Sequence, residues 1–429
     1  MSHFPGFKHI HSEHGIDAYE LVSNGLQVLL APSGNAPVST FMITYRVGSR
    51  NEAIGETGAT HFLEHMMFKG TEKFSKASGK TIFNVLQARG ARVNATTWND
   101  RTNYYEMLPS EHLGLAVEIE ADRMRGLLLD PEEVASEKTV ILNEFDRGEN
   151  EPLRKLIHSV WSSAFVAHPY HHPTIGWRKD IEQVTSDGLR SFYDRFYWPN
   201  NATVSVIGGF EAESVLETIR SSFGPLPSGR SAEVDYADME PKQIGERRVT
   251  IRMSGGMPAI IMAFKSPGIA HDDWPALYVA GMVLSQGKSS RLAKALVDTG
   301  MATWQTASPS AFQDPGLFSV MCSLTAGTDV ADVETTLVES INELASNIQE
   351  DEIQRAFKKM EAQILYARDG SFSLASQLNE AIASGDWTLY TRFLERAKKV
   401  TAAGIKDVVQ RYMVKDQMTI GEYQPKQAD

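Results

Sequence analysis

His61-Phe62-Leu63-Glu64-His65 sets two imidazoles and a carboxylate within five residues. Residues three and four apart share a helical face, so His61, Glu64 and His65 would project together. Two neutral imidazoles can grip a zinc ion, and the carboxylate beside them can take a proton from a water that the metal activates. The order inverts the commoner H-E-x-x-H, with the glutamate directly before the second histidine. Phe62, Leu63, Met66 and Met67 make the rest of the helix apolar. Three ionisable groups on such a helix are costly to bury without partners. The competing reading, two hydrogen-bonded core histidines with a salt-bridged glutamate, fits the triplet less well. Gly58-Ala59-Thr60 opens the segment, and Gly70 is expected to end the helix.

A catalytic zinc site typically takes three protein ligands and leaves one position for water. Candidates for the third lie between Asp130 and Asp146. Asp130 reads as an N-cap, Pro131 as the first helical residue and Glu133 as the reciprocal capping partner. Glu137 and Glu144 are seven apart, two turns at nearly one azimuth. Val134, Val140, Ile141 and Phe145 flank that face, so both carboxylates sit in an apolar stripe where glutamates are rare unless paired or metal-bound.

These residues, with Met66-Met67-Phe68-Lys69-Gly70-Thr71 after the triplet, resemble the pitrilysin family of inverzincin metallopeptidases, in particular its processing-peptidase branch. The resemblance covers essentially the whole chain. It implies that His61, His65 and Glu144 are zinc ligands, that Glu64 is the general base, and that Glu137 is a second catalytic glutamate close to the metal. Ala91 to Thr97 resembles the family's edge strand, where Asn94 and Ala95 would hold a substrate backbone. The fold implied is α+β, two duplicated α/β-sandwich-like domains facing each other across a cavity that admits short or unfolded peptides.

The positioning elements are legible on their own. Val93 to Thr97 is rich in β-branched residues and ends at the Asn99-Asp100 turn signal, and Thr102 to Leu108 reads as its partner strand. An open edge strand can accept an extended peptide through main-chain hydrogen bonds. Gln27 to Leu30, the turn at Gly34-Asn35-Ala36-Pro37 and Val38 to Val47 are echoed by Val249 to Arg252, Gly255 to Pro258 and Ala259 to Lys265. Carrying this register on sets His61 to Gly70 opposite Tyr278 to Gly287, an offset of 217, and Arg195 before the strand at Thr203 is mirrored by Arg411 before the strand at Met418, an offset of 216. Tyr278, Gly281 and Met282 stand where His61, Glu64 and His65 would be, so the second half is expected to carry no metal. The expected domains are 1–225 with the metal site and 247–429 without it. A linker at 226–246 begins with the Pro/Gly/Ser-rich run near Gly224 to Arg230.

One departure from the family bears on partners. Many relatives carry an arginine and a tyrosine in the second half that steady the oxyanion. Here Thr303 stands for the tyrosine and Leu296 for the arginine, while Arg291 is out of register. The expectation is a heterodimer in which a paralogue supplies the pair, with a homodimer as the other possibility. The alternative function is a zinc-stabilised scaffold subunit, against which the general base Glu64 argues. A small-molecule hydrolase is disfavoured by the edge strand.

The remaining features exclude more than they assign. At 429 residues, 42% hydrophobic and 22% charged, the chain is globular and too long for one core. A net charge of −12 argues against nucleic acid. No apolar run is long enough to span a membrane, and the first residues read as neither signal nor transit peptide, so cytoplasm is expected, or periplasm if a leader has been trimmed. The lone Cys322 excludes an internal disulfide and reads as core. His168-Pro169-Tyr170-His171-His172-Pro173 reads as a surface loop, not a second metal site. No dinucleotide, P-loop or nucleophile-elbow motif occurs.

Overall fold

The computed structural model describes residues 4–33, 36–230, 236 and 239–426. Gly34 and Asn35 of the first turn, and part of the 226–246 linker, lie outside the described residues. In chain order the elements begin with β1 (Phe7–Glu13), β2 (Ile16–Leu21), β3 (Leu26–Pro32), β4 (Val38–Tyr45), α1 (Ala59–Met66) and α2 (Ile82–Gln87). The hairpin β5 (Arg92–Thr97) and β6 (Thr102–Pro109) follows, then α3 (Leu113–Gly126), α4 (Pro131–Glu149), α5 (Pro152–Ala164), α6 (Arg178–Gln183) and α7 (Ser186–Phe196). Next come β7 (Ala202–Gly208), α8 (Ala212–Phe223), β8 (Arg247–Met253), β9 (Ala259–Ser266), α9 (Trp274–Ser285), β10 (Ala302–Pro309) and β11 (Gly316–Leu324). The chain closes with α10 (Val330–Asn347), α11 (Glu350–Arg368), α12 (Ser371–Ala383), α13 (Thr388–Thr391), α14 (Phe393–Lys398), α15 (Ala402–Tyr412) and β12 (Met418–Pro425).

Two compact units emerge, each an α/β layer structure around one sheet. The first sheet runs β1-β2-β3-β7-β4-β6-β5. The second, read from its β8 edge, runs β8-β12-β9-β11-β10. Its five strands repeat the connections of β3-β7-β4-β6-β5, including the single parallel pair, β3 with β7 and β8 with β12. The strand topology therefore carries the duplication expected from the matching offsets.

The units are not cut at one point in the sequence. The first draws on Met1–Asn143, Pro173–Val234 and Tyr366–Thr391, the second on Glu144–His172, Asp235–Leu365 and Arg392–Asp429. A sheet covered by helices on both faces buries nearly every side chain, and β4 and β7 show this, with all but Val38 buried. The second cover of each sheet comes from the far half of the sequence. In the first unit Ala375, Leu378 and Ile382 of α12 pack with Leu29, Ala31, Met42 and Ile207. In the second, Leu156, Val160 and Ala164 of α5 pack with Ala259, Ile261, Ala263 and Tyr423. The division falls within α4, a single continuous helix.

Cys322 lies in β11 at 2% exposure, and burial pushes its thiol up to about 12. No helix among the described residues is long and apolar enough to cross a membrane.

Candidate metal centre

α1 is short and strongly sided. Phe62, Leu63 and Met66 are at most 1% exposed, whereas His61, Glu64 and His65 are half-buried on the remaining face. Burial of each large apolar side chain contributes roughly 2 kcal/mol, which fixes the helix and leaves the ionisable triplet presented. Its entry is sterically determined. Gly58 has φ +87°, and a Cβ there would lie 2.4 Å from the Ile175 carbonyl oxygen, so no other residue fits without a shift. The first turn is capped from Glu52, which accepts the N–H groups of Gly58 at 2.7 Å and Thr60 at 2.8 Å. Burial pushes the Glu52 carboxyl up to about 8 against the pull of those donors. The helix ends at Met66, earlier than the Gly70 stop expected from sequence, and Gly70 instead bridges to Ser75.

Beneath the triplet lies a fully buried Arg123. It donates to Glu120 through both Nε, at 2.9 Å, and Nη2, and to the Met67 carbonyl at 3.4 Å, and its guanidinium stands over Tyr104 and Phe68 at 4.3 and 5.0 Å. Burial raises the neighbouring Glu106 carboxyl well above the usual carboxylate range. This network anchors the α1 C-terminal turn to α3 and β6.

α4 begins as read, with Asp130 accepting the Glu132 and Glu133 N–H groups at 2.8 and 3.2 Å. Glu133, expected to reach back to the cap, instead meets Lys76 at 2.8 Å and Lys69 at 3.9 Å; cations are stronger partners than a neutral N–H. Val140, expected in the apolar stripe, is 48% exposed, while Val134 and Ile141 are buried. Glu137 is 6% exposed and Glu144 half-buried. His65 Nδ1 donates to Glu137 Oε1 at 2.8 Å, and Lys69 forms an ion pair with the other oxygen. The His65 hydrogen bond, then Lys69, holds the Glu137 carboxyl down at about 2 against its burial.

Two turns further along the same helix, Glu144 meets the histidines. His61, His65 and Glu144 each offer one ligand atom, and those atoms lie within 4.8 Å of one another; no other such group occurs among the described residues. The imidazole rings stand 4.8 Å apart at 70°. Because His65 spends Nδ1–H on Glu137, its Nε2 is the nitrogen left with a lone pair. Two imidazoles and one carboxylate form a donor set suited to a catalytic zinc ion. Glu64, on the same face, accepts a hydrogen bond from the Thr97 hydroxyl of β5.

β5 is the edge of its sheet, paired only with β6 among the described residues. Asn94 is exposed and Ala95 is 5% exposed. Asn94, Glu64, His65 and Glu137 border a cavity of about 390 Å³ whose other walls include Phe68, Phe83, Thr81, Lys69 and Lys76. Sequence reasoning missed Lys69, Thr97 and Glu52. Lys69 had a signal, lying one turn after His65 on the same face; Thr97 acts from a separate strand, and Glu52 caps from outside the helix, six and eight residues before its donors.

The histidine-proline segment is not a surface loop. His168 and His172 are 1% and 4% exposed, and His168 Nε2 is 2.9 Å from Asp314 Oδ2. Tyr170 draws the segment inward, packing on Trp161, Phe165 and Phe312.

With this geometry in hand, comparison with known proteins is specific. Residues 27–176 match the family described as Insulinase (Peptidase family M16), and residues 183–360 match Peptidase M16 inactive domain. The chain is 32% identical to zinc protease PqqE of Helicobacter pylori, over 67% of this chain and 66% of that protein. It is 23% identical to the probable mitochondrial-processing peptidase subunit beta of Arabidopsis thaliana, over 94% of this chain and 77% of that one. The crystal structure of a protease from Helicobacter pylori superposes with a TM-score of 0.88 at 27% identity, covering 94% of this chain and 98% of the other. The two family matches together span most of the sequence, and relatives named as zinc proteases align along it: the chain belongs to peptidase family M16.

Proposed function

We propose that this chain is a zinc-dependent endopeptidase, acting on short or unfolded peptides as the metal-bearing subunit of a dimer. The observation that carries the reading is the approach of His61, His65 and Glu144 ligand atoms within 4.8 Å, beside Glu64. A zinc ion held by those three residues would lower the pKa of a water to roughly 7 and polarise the scissile carbonyl. Glu64 then accepts the proton as the water attacks, and passes it to the departing amine. Thr97 orients the Glu64 carboxylate through its hydroxyl. Glu137 holds His65 in the tautomer that leaves Nε2 unprotonated, and Lys69 keeps Glu137 anionic. A substrate segment adds to β5 at Asn94 and Ala95 through its main chain, and a side chain enters the adjoining cavity.

The dimer part of the proposal rests on the second unit. Thr303 and Leu296 offer neither a phenol nor a guanidinium, and Leu296 is fully buried. Arg291 is committed elsewhere: it donates to Glu352 at 2.8 and 2.6 Å and to the Asn347 carbonyl at 2.7 Å. A paralogue with an arginine–tyrosine pair would complete the oxyanion site, worth about a hundredfold or more in rate; a second copy of this chain would not.

The test is cleavage of an unstructured peptide before and after chelation, with zinc returned afterwards. Turnover should vanish with the metal and come back with it. Undiminished cleavage by metal-free protein would overturn the proposal. Full activity of the isolated chain would remove only the partner.

A further inference from the structure

The second unit has a cavity of its own, about 430 Å³, that peptide hydrolysis does not use. Met282, near the C-terminus of α9, supplies apolar lining. The loop that follows contributes Gly287 and Ser290, and α11 contributes Arg355, Lys358 and Lys359. Lys358 and Lys359 lie three and four residues after Arg355, so each neighbours it on the helix surface.

The charge around the cavity is not balanced. Glu352 also borders it, but both its oxygens are taken by Arg291, at 2.8 and 2.6 Å. Arg355 pairs with Asp351 one turn earlier, at the exposed helix surface. Lys358 and Lys359 have no ion pair or hydrogen bond among the described residues. Gly287 brings the loop close to this helix: it has φ +94°, and a Cβ there would lie 3.3 Å from Lys359 Nζ. A second signal is independent of charge. Ser290 is 6% exposed, and its hydroxyl has no hydrogen-bond partner among the described residues. Buried hydroxyls nearly always have one.

We propose that this cavity binds a phosphate group carried by a small organic molecule. Two unpaired ammonium groups and a hydroxyl supply donors and positive charge, which suits an oxyanion and excludes a cation. Donors drawn from two elements, α11 and the loop after α9, suit a tetrahedral anion with outward oxygens better than a planar carboxylate. Lysine binds phosphate as a point charge without the fork geometry that carboxylates favour. The volume lies in the range of small-molecule sites and exceeds what a bare ion fills, and Met282 offers apolar surface to the rest of the ligand. This site is independent of the metallopeptidase reading.

Calorimetric titration of the full chain with phenyl phosphate, and with benzoate as the planar counterpart, tests the proposal. Phenyl phosphate should bind saturably and benzoate at least tenfold more weakly. Lys358→Gln with Lys359→Gln should weaken phenyl phosphate about tenfold, and Ser290→Ala a few-fold. The lysine heads lie at a helix surface and Ser290→Ala removes one atom, so folding is not at stake, and far-UV circular dichroism checks it. Absence of saturable binding, binding unchanged in the double variant, or benzoate matching phenyl phosphate would each overturn the assignment.

Discussion

α1 and α9 hold equivalent places in two sheets of the same topology, yet one presents chemistry and the other only packing. In α1, His61, Glu64 and His65 form a half-buried stripe beside β5. In α9 every residue except Tyr278 is buried. Gly281, opposite Glu64 in the duplicated register, shows why. A Cβ at Gly281 would lie 2.6 Å from the Ala307 carbonyl oxygen of β10, so helix and strand are in backbone contact where the first unit leaves room for a carboxylate and the Thr97 hydroxyl. The difference between the units is thus one of spacing as much as of side chains. A second centre could not be restored by substituting ligands alone.

The sharpest way to break this contrast is at Glu64. Glu64→Gln preserves shape and removes the proposed proton acceptor. Its kcat should fall about a thousandfold or more while zinc content and melting temperature stay near the parent's. Parent-rate cleavage by this variant would falsify the assignment of Glu64 as base.

Next in size are the groups proposed to hold the ion or to orient its ligands. Glu144→Ala removes one of the three proposed ligands, and zinc measured by elemental analysis should drop from about one per chain toward none. Glu137→Gln leaves the ligands but weakens the acceptor for His65 Nδ1–H, and it should cost about 10–100-fold in zinc affinity. If Glu144→Ala retained the metal as tightly as Glu137→Gln does, Glu144 would not be a ligand.

A third variant probes the silent helix. Gly281→Glu forces a side chain against the β10 backbone, and chemical denaturation should show a loss of about 2 kcal/mol or more. The variant should bind no additional zinc. A stable protein with a second bound ion would show that spacing does not silence the second unit.

Much of this was legible in the sequence because its signals are local. The five-residue triplet fixes which side chains share a helical face, and the seven-residue step from Glu137 to Glu144 fixes theirs. Repeated strand–turn–strand patterns at nearly constant offsets foretold the matching sheets. What escaped were relations between distant segments. That α5 and α12 cover the sheet of the opposite half has no local signature, since an amphipathic helix does not declare which surface it will cover. The buried state of His168 depends on Asp314 and on an aromatic cluster assembled from separate elements, and a proline-rich run by itself reads as exposed. Glu133 chose Lys76 over its cap for a reason visible only once α4 lies beside the loop after α1.

The last contrast separates the units by pH. In α5, burial first, then Arg154 and Lys155, pushes His158 down to about 4 from 6.5. A lowered folded pKa stabilises above the unfolded value and is lost as pH falls through the folded one. His158 therefore contributes fully above pH 6.5 and loses that contribution between about 6.5 and 4, with a slope approaching 1.4 kcal/mol per pH unit. Glu137, held at about 2 from 4.5, follows the same sign in a lower window, between about 4.5 and 2. Urea denaturation at a series of pH values should show His158→Gln flattening the upper window alone and Glu137→Gln the lower one alone. A His158→Gln curve parallel to the parent's from pH 6.5 to 4 would mean that the imidazole is solvated as freely in α5 as in the unfolded chain. The α5 cover over the second sheet would then admit water to His158.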